Sequence, residues 1–460
     1  MVVLLKIIQV ILALSLLVLF HEFGHYSFSK LFKTRVEKFY LFFNPRISLV
    51  KFKRFDGKWH CKFFSPNEDP AWDAHPENTE YGIGWLPFGG YCKIAGMIDE
   101  SMDTEAMKLP PQPYEFRTKK AWQRFFIMFG GVLFNFILAI ILYAAVLGTW
   151  GEEYLRNEDA TYGIAVNDLS YEIGFRDGDR ILAFDGEPVE NFANLQVDLL
   201  RSQAREATVL RGSDTLTIPI DPVYLPAMLN TPGMFDLAFP FVVKEVSPDS
   251  PNAGSGLASG DALVGIDGKP MFIVQQIQKE LRQHRDAQVT ASVRRDADAF
   301  ELPLQVDTAG HIGVLLDTDP SHFFNVTTRD YNLLSAIPAG ARKTWTTIKG
   351  YVQELGLIFS PKTKAYKSVG SFIAIGRIFP DTWDWYRFWT LCALLSIMLG
   401  VMNLLPIPAL DGGHILFLLF EMLTGRRPSD KFMEVAQWIG MALLLMLMVL
   451  AFGNDIRSLF

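Results

Sequence analysis

Four stretches of this chain are apolar for long enough to cross about 30 Å of hydrocarbon, which limits every other segment to what a membrane tolerates. The first covers residues 2–28, with Lys6 and Gln9 as light interruptions before His21. The second covers 125–150. The third covers 385–423 and is broken at Pro406 and Pro408, and the fourth covers 432–452, beyond the basic hinge 425–428. The first stretch begins like a secretion signal, but it has no small-residue cleavage site and ends in His21, Glu22 and His25, so it reads as a retained helix. Half of the 460 residues are hydrophobic and 20% are charged, which excludes a disordered chain. A net charge of −7 and a pI near 5.7 exclude a general nucleic-acid binder. Three scattered cysteines, Cys61, Cys92 and Cys392, exclude a disulfide framework and a cysteine zinc site.

Orientation follows from the lysines and arginines flanking the spans. Lys30, Lys33, Arg35 and Lys38 follow the first span; Arg117, Lys119, Lys120 and Arg124 precede the second; Arg426, Arg427 and Lys431 lie between the third and fourth. A four-span layout puts all three sets on one side, predicted to be cytoplasmic. Both termini and the long 151–384 segment are then extracytoplasmic.

That long segment contains a duplication. GFRDGDRILAFDGEP, from Gly174 to Pro188, recurs as GLASGDALVGIDGKP from Gly256 to Pro270, at a constant offset of 82 residues. Three glycines, two aspartates and a proline coincide. Each copy predicts a Gly-Asp turn, a short strand (181–184 and 263–266), an Asp-Gly turn, an amphipathic helix (191–202 and 273–285) and two β-rich stretches. These are similar to tandem PDZ domains, at 155–230 and 235–312. Such domains take an extended peptide as an added strand or filter protein ligands by size; two inert spacers are the alternative. Within 331–384, residues 344–359 place Trp345, Ile348, Val352, Leu355 and Ile358 on one stripe. That pattern predicts a helix at the membrane interface or one packed on the PDZ pair.

His21-Glu22-Phe23-Gly24-His25 is an H-E-x-x-H motif. Residues four apart on a helix share a face, so the two imidazoles converge on one ion and Glu22 stands where it can act as general base. Eight histidines in 460 residues make a chance match too frequent to decide the matter, but the location changes the odds. Three ionisable groups inside a span cost several kcal/mol unless paired or metal-bound. A catalytic zinc site keeps three protein ligands and one open position. The third ligand is sought in the segment from Asn403 to His414, where two prolines interrupt an apolar run just before Asp411. Irregular backbone survives in a membrane only around a cavity or a site. Capping of the next helix by Asp411 is an alternative compatible with ligation. His21 lies nine residues, or about 14 Å of helix, before Lys30. The metal is therefore expected inside the hydrocarbon zone, nearer its cytoplasmic side.

H-E-F-G-H in the first span, N-x-x-P-x-P-x-L-D-G-G in the third, and PDZ domains between the second and third together resemble the site-2 proteases. Within that family the four-span layout and paired PDZ domains are similar to the bacterial RseP-like branch. Residues 81–93 (YGIGWLPFGGYCK) and 130–135 (GGVLFN) match as well. The resemblance implies a polytopic α-helical membrane protein with four transmembrane helices, two tandem β-rich PDZ domains and a membrane-associated β-hairpin. Its parts would be 1–33, 34–118 (the cytoplasmic-side β region), 119–150, the PDZ pair, 331–384, 385–424 and 432–452. It implies one zinc ion per chain on His21, His25 and Asp411, with Glu22 activating water and Asn403 binding the substrate main chain. Gly82, Gly84, Gly89 and Gly90 would belong to the hairpin that pairs with substrate. The substrate would be a single-span membrane protein, such as an anti-sigma factor pre-trimmed by a first protease, or a remnant signal peptide. The location would be the bacterial inner membrane, with no nucleic-acid partner. Two departures stand out. Residues 44–80 are longer and more polar than a compact hairpin needs, and 368–371 lack the S-G-P tripeptide of relatives. Two rival readings remain: a soluble-type metalloprotease on a single anchor, and a membrane-anchored PDZ scaffold with a structural metal and no protease activity.

Overall fold

The computed structural model describes residues 2–67, 69–87, 89–97, 109–359 and 372–457. The chain forms two compact units, one built from Met1–Gly151, Asp330–Leu355 and Val369–Phe460, the other chiefly from Glu152–Arg329. In the first unit, α1 (Val2–Leu31) is a single helix whose buried positions are Gln9, Ala13, Leu17, His21, Gly24, His25 and Ser29. Steps of three and four put these on one stripe, so the two histidines face inward because the stripe does. The remaining surface is aliphatic and exposed, as at Leu4, Ile7 and Leu12.

Next come β1 (Val36–Leu41), β2 (Ile47–Phe55), β3 (Lys58–Pro66), the short helix α2 (Pro70–Asp73), β4 (Glu80–Ile83) and β5 (Tyr91–Ile94). They form one mixed sheet in the order β3-β2-β4-β1-β5. This corrects the expected hairpin. Gly82 lies in β4, paired to Tyr40 of β1 on one side and to Lys51 of β2 on the other, so no added strand can pair there. Gly82 and Gly84 are small for packing: a Cβ would strike the Tyr40 ring at the first and the Phe43 carbonyl at the second. Among the described residues, the outermost strand on that side is β5.

The polar 44–80 segment is part of the sheet. Trp72 of α2 is buried against it, with the Lys51 and Lys62 ammonium groups 4.8 and 5.3 Å from its ring. Lys51 donates to the Pro66 carbonyl and Lys53 to that of Trp72. Polarity in β2 is therefore inverted. Lys51 and Lys53 are buried while Leu49 and Phe52 are exposed, beside Trp59 and Phe63 of β3.

The second span is α3 (Ala121–Trp150), which crosses α1 where Gly24 meets Gly130; neither position has room for a Cβ. That close approach sets the distance between the two helices at the depth of the histidines.

The second unit contains β6 (Glu152–Leu155), β7 (Ile164–Val166), α4 (Asp168–Ile173), β8 (Arg180–Phe184), β9 (Glu187–Pro188), α5 (Leu195–Ser202), β10 (Glu206–Arg211), β11 (Asp214–Pro219), α6 (Leu225–Asn230) and β12 (Phe235–Leu237). It continues with β13 (Phe241–Val246), β14 (Ala262–Ile266), β15 (Lys269–Pro270), α7 (Val274–Leu281), β16 (Gln288–Arg295), β17 (Asp298–Gln305), β18 (Val314–Leu316), α8 (Pro320–Phe323) and β19 (Val326–Arg329). Two modules repeat one plan: β11-β10-β8-β9 in the first corresponds to β17-β16-β14 with β15 in the second. Each has its own apolar core, around Phe175 and Ile181 in one and around Ile266 and Ile277 in the other.

The repeated Gly-Asp now has a physical reason. Asp179 and Asp261 are fully buried, and each accepts two bonds from an arginine, Arg211 or Arg295, that also reaches the carbonyl of Gly174 or Gly256. Hydrogen bonding from Arg295 holds the Asp261 carboxyl below the usual carboxylate range. Strand β6 pairs antiparallel with β19, with Glu152 opposite Arg329, so the two ends of this unit are clasped together.

The first unit resumes with α9 (Leu333–Phe359), α10 (Phe372–Ile378), α11 (Trp385–Leu404), α12 (Asp411–Thr424) and α13 (Asp430–Arg457). Helix α9 begins eleven residues before the expected 344 and runs through Pro338. Its Gly340 packs on the backbone of α3 at Ile140 and Ala144, and its predicted stripe is split, with Trp345 and Val352 exposed and Leu355 buried. Among the described residues, α1, α3, α11 and α13 are long and apolar enough to span a membrane. The third predicted span is α11 and α12 with the break at 405–410, and Arg124 of α3 forms an ion pair with Glu421 of α12. Residues 368–371 lie outside the described residues.

Candidate metal centre

Helix α1 supplies His21 and His25 one turn apart, their ring centroids 4.8 Å apart and edge to face. Helix α12 supplies Asp411, whose Oδ2 lies 3.2 Å from His21 Nε2 and 3.3 Å from His25 Nε2. The cap of α12 is Leu410, with no side-chain capping bond, so Asp411 is left free to face α1. Two imidazole nitrogens and one carboxylate oxygen thus lie within 4.8 Å of one another. Asp411 Oδ2 is buried without a hydrogen-bond donor of its own. Converging lone pairs of this kind repel unless a cation sits among them, and two histidines with one carboxylate match a catalytic zinc set with one position open.

The surrounding residues fix the rings. His25 Nδ1 donates to the Ile127 carbonyl at 2.9 Å, leaving Nε2 to face Asp411. Asn135, fully buried on α3, lies 3.1 Å from His21 Nδ1. The facing atom is the side-chain Nδ2, with Oδ1 buried and unpartnered beside it. For His21 to ligate through Nε2 its Nδ1 must carry the proton, which requires the Asn135 amide turned so that Oδ1 accepts it. Gly131 lies beneath both rings; a Cβ there would stand 2.5 Å from His25 Nε2 and 2.7 Å from His21 Cε1. Asn403, at the end of α11, reaches within 3.4 Å of His21 Nε2.

Glu22 shares a cavity of about 500 Å³ with His21, His25 and Asp411, and the backbone N–H of Cys92 in β5 donates to its carboxylate. Along β5, Tyr91, Cys92, Lys93 and Ile94 line this cavity, as do Gly90 and, from α13, Gln437. Of the four hairpin glycines, Gly90 reaches the site, whereas Gly89 packs on the Phe43 ring, Gly82 lies within the sheet and Gly84 just past the end of β4.

Sequence reasoning quoted 130–135 only as a matching segment and missed the contacts of Gly131 and Asn135. The available signal was a glycine and an asparagine four apart in an otherwise apolar span, hence on one face. Replacing Asn135 with Leu is expected to weaken zinc retention about 10–100-fold, the usual cost of losing a partner that orients a metal-ligating histidine. Chelator competition measures this, and unchanged retention would mean that the His21 tautomer is set elsewhere.

The model of peptidase family M50 matches residues 9–65 and 69–447. The regulator of sigma-E protease RseP of Salmonella typhimurium is 29% identical over 476 residues, covering 98% of both chains. RseP of Escherichia coli K12 is 27% identical over 475 residues, again with 98% of both covered, as is the protease RseP of Yersinia pestis. A match of this extent, on a chain that brings two histidines of a span together with Asp411, shows that the protein belongs to peptidase family M50, the site-2 group of membrane zinc metalloproteases.

Proposed function

We propose that this chain is an intramembrane endopeptidase that cuts the spanning segment of single-span membrane proteins in a bacterial inner membrane. The observation that carries the proposal is the meeting of His21 and His25 from one apolar span with Asp411, which opens α12 just after the break that ends α11. In this reading these three residues hold one zinc ion, which when bound polarises the attacked carbonyl and a water molecule. Glu22, next to the ligands, takes the proton of that water and passes it to the leaving amine. Asn403 steadies the substrate main chain.

A helical substrate has its carbonyls already hydrogen-bonded and screened, so the segment must unwind, and its freed groups need partners where water is scarce. Strand β5 is the platform assigned here, because it is outermost in its sheet and lines the cavity of Glu22. The two modules of the second unit are read as tandem PDZ domains on the extracytoplasmic side, a reading supported by their shared glycine turns and buried Asp-Arg pairs. There they exclude substrates whose outer domain a first protease has not removed. The relatives named for regulating sigma-E make anti-sigma factors the expected substrate class.

Proteoliposomes holding this chain and a tagged single-span protein are expected to yield a zinc-dependent cut that mass spectrometry places inside the apolar segment. Products cut only in extramembrane residues would overturn the assignment. A bulky folded domain on the substrate is expected to slow that cut, and equal rates with and without it would remove the filter.

A further inference from the structure

Helix α13 is apolar enough to span a membrane, yet it carries an amide at Gln437. The side chains on either side of it, at Val435, Trp438 and Ile439, are exposed, whereas Gln437 is only 6% exposed and lines the cavity of the metal cluster. Among the described residues no hydrogen bond holds its amide. One turn further on, Gly440 lies against the Pro408 carbonyl with no room for a Cβ, which seats this face of α13 on the broken 405–410 segment. An amide that faces this cavity with no hydrogen bond from the described residues is available to a ligand seated there.

The reading of β5 as the substrate platform, on which this inference rests, leaves a gap that such an amide fills. In a strand added to a sheet edge, the N–H and C=O groups of alternate residues point toward the sheet and those between them point away. Within a membrane the outward groups have no water to satisfy them. We propose that Gln437 is a substrate-binding residue whose side-chain amide hydrogen-bonds the outward-facing main-chain groups of the unwound segment beside the metal cluster. An amide presents one acceptor and two donors, so it can serve either group of a peptide without selecting side chains. That suits an enzyme whose substrates share an extended apolar backbone and little sequence.

The test uses the full-length, zinc-loaded chain in proteoliposomes. Gln437→Met is expected to raise the apparent KM for a single-span substrate about fivefold to tenfold, with kcat changed less than about twofold, as suits one lost neutral hydrogen bond. Inhibition by a peptidyl hydroxamate, which has a main chain, should weaken by the same factor. Inhibition by acetohydroxamate, which has none, and the zinc content should not move. Gln437→Leu should behave alike, and the lipid-facing Ile439→Ala should match the wild type. Unchanged KM and unchanged peptidyl-hydroxamate affinity would overturn the inference. So would an equal loss toward both hydroxamates or a fall in zinc content, because either marks a structural role. If the wild-type chain itself fails to cut a single-span substrate, the proteolytic reading is what fails, while zinc and acetohydroxamate binding remain measurable.

Discussion

Glu22→Gln is expected to retain zinc and to lower cleavage of a reconstituted single-span substrate about 10²–10⁴-fold, the range of a lost general base. The substitution keeps shape and hydrogen-bonding length while removing the one carboxylate, among the described residues lining the cavity, that lies outside the His21–His25–Asp411 cluster. Glutamine can still accept the Cys92 backbone N–H, so the contact between α1 and β5 survives. It cannot take a proton from water at neutral pH. Metal analysis and turnover on the same preparation separate the two effects. Undiminished turnover would refute Glu22 as the base, and loss of zinc would mean that it also stabilises the ligand set.

Asp411→Ala is the second large effect. On the proposed ligand set it leaves two of three ligands, with His21 and His25 facing each other without the carboxylate that stands 3.2 and 3.3 Å from them. Zinc retention should fall further than the 10–100-fold set out for Asn135, with activity lost in parallel. The fold should persist, because α12 is not capped by this side chain and its seat on the 405–410 segment is made by Gly412 and Gly413 backbone contacts. Elemental analysis after dialysis reads the outcome. A stoichiometric ion retained by the Ala variant would place the third ligand elsewhere.

Much of this architecture was readable from the chain, for different reasons in different places. The spans announce themselves because hydrocarbon demands length and apolarity from consecutive residues, and the H-E-x-x-H pair announces itself because both ligands lie within one helical turn. Asp411 was readable through its cost, as a charge placed where prolines break an apolar run. Contacts between remote segments were another matter. The joining of β1 to β4 spans some forty residues with no local signal, so the sequence predicts a hairpin where the described residues form a five-stranded sheet, with Gly82 in a strand paired on both sides. The arginines that complete the repeated turns escaped because β16 is two residues longer than β10, which moves Arg295 out of the 82-residue register that matched the rest. The start of α9 escaped because Pro338 and the exposed Leu333 and Leu334 look like a loop.

The antiparallel pairing of Glu152 with Arg329 gives the large insertion after α3 the character of a detachable cassette. Its first and last residues are neighbours, so whatever is threaded between them can lengthen, shrink or be exchanged while the flanking helices keep their spacing. Changes of length or content inside the cassette then leave undisturbed the helices that carry the histidine–aspartate cluster.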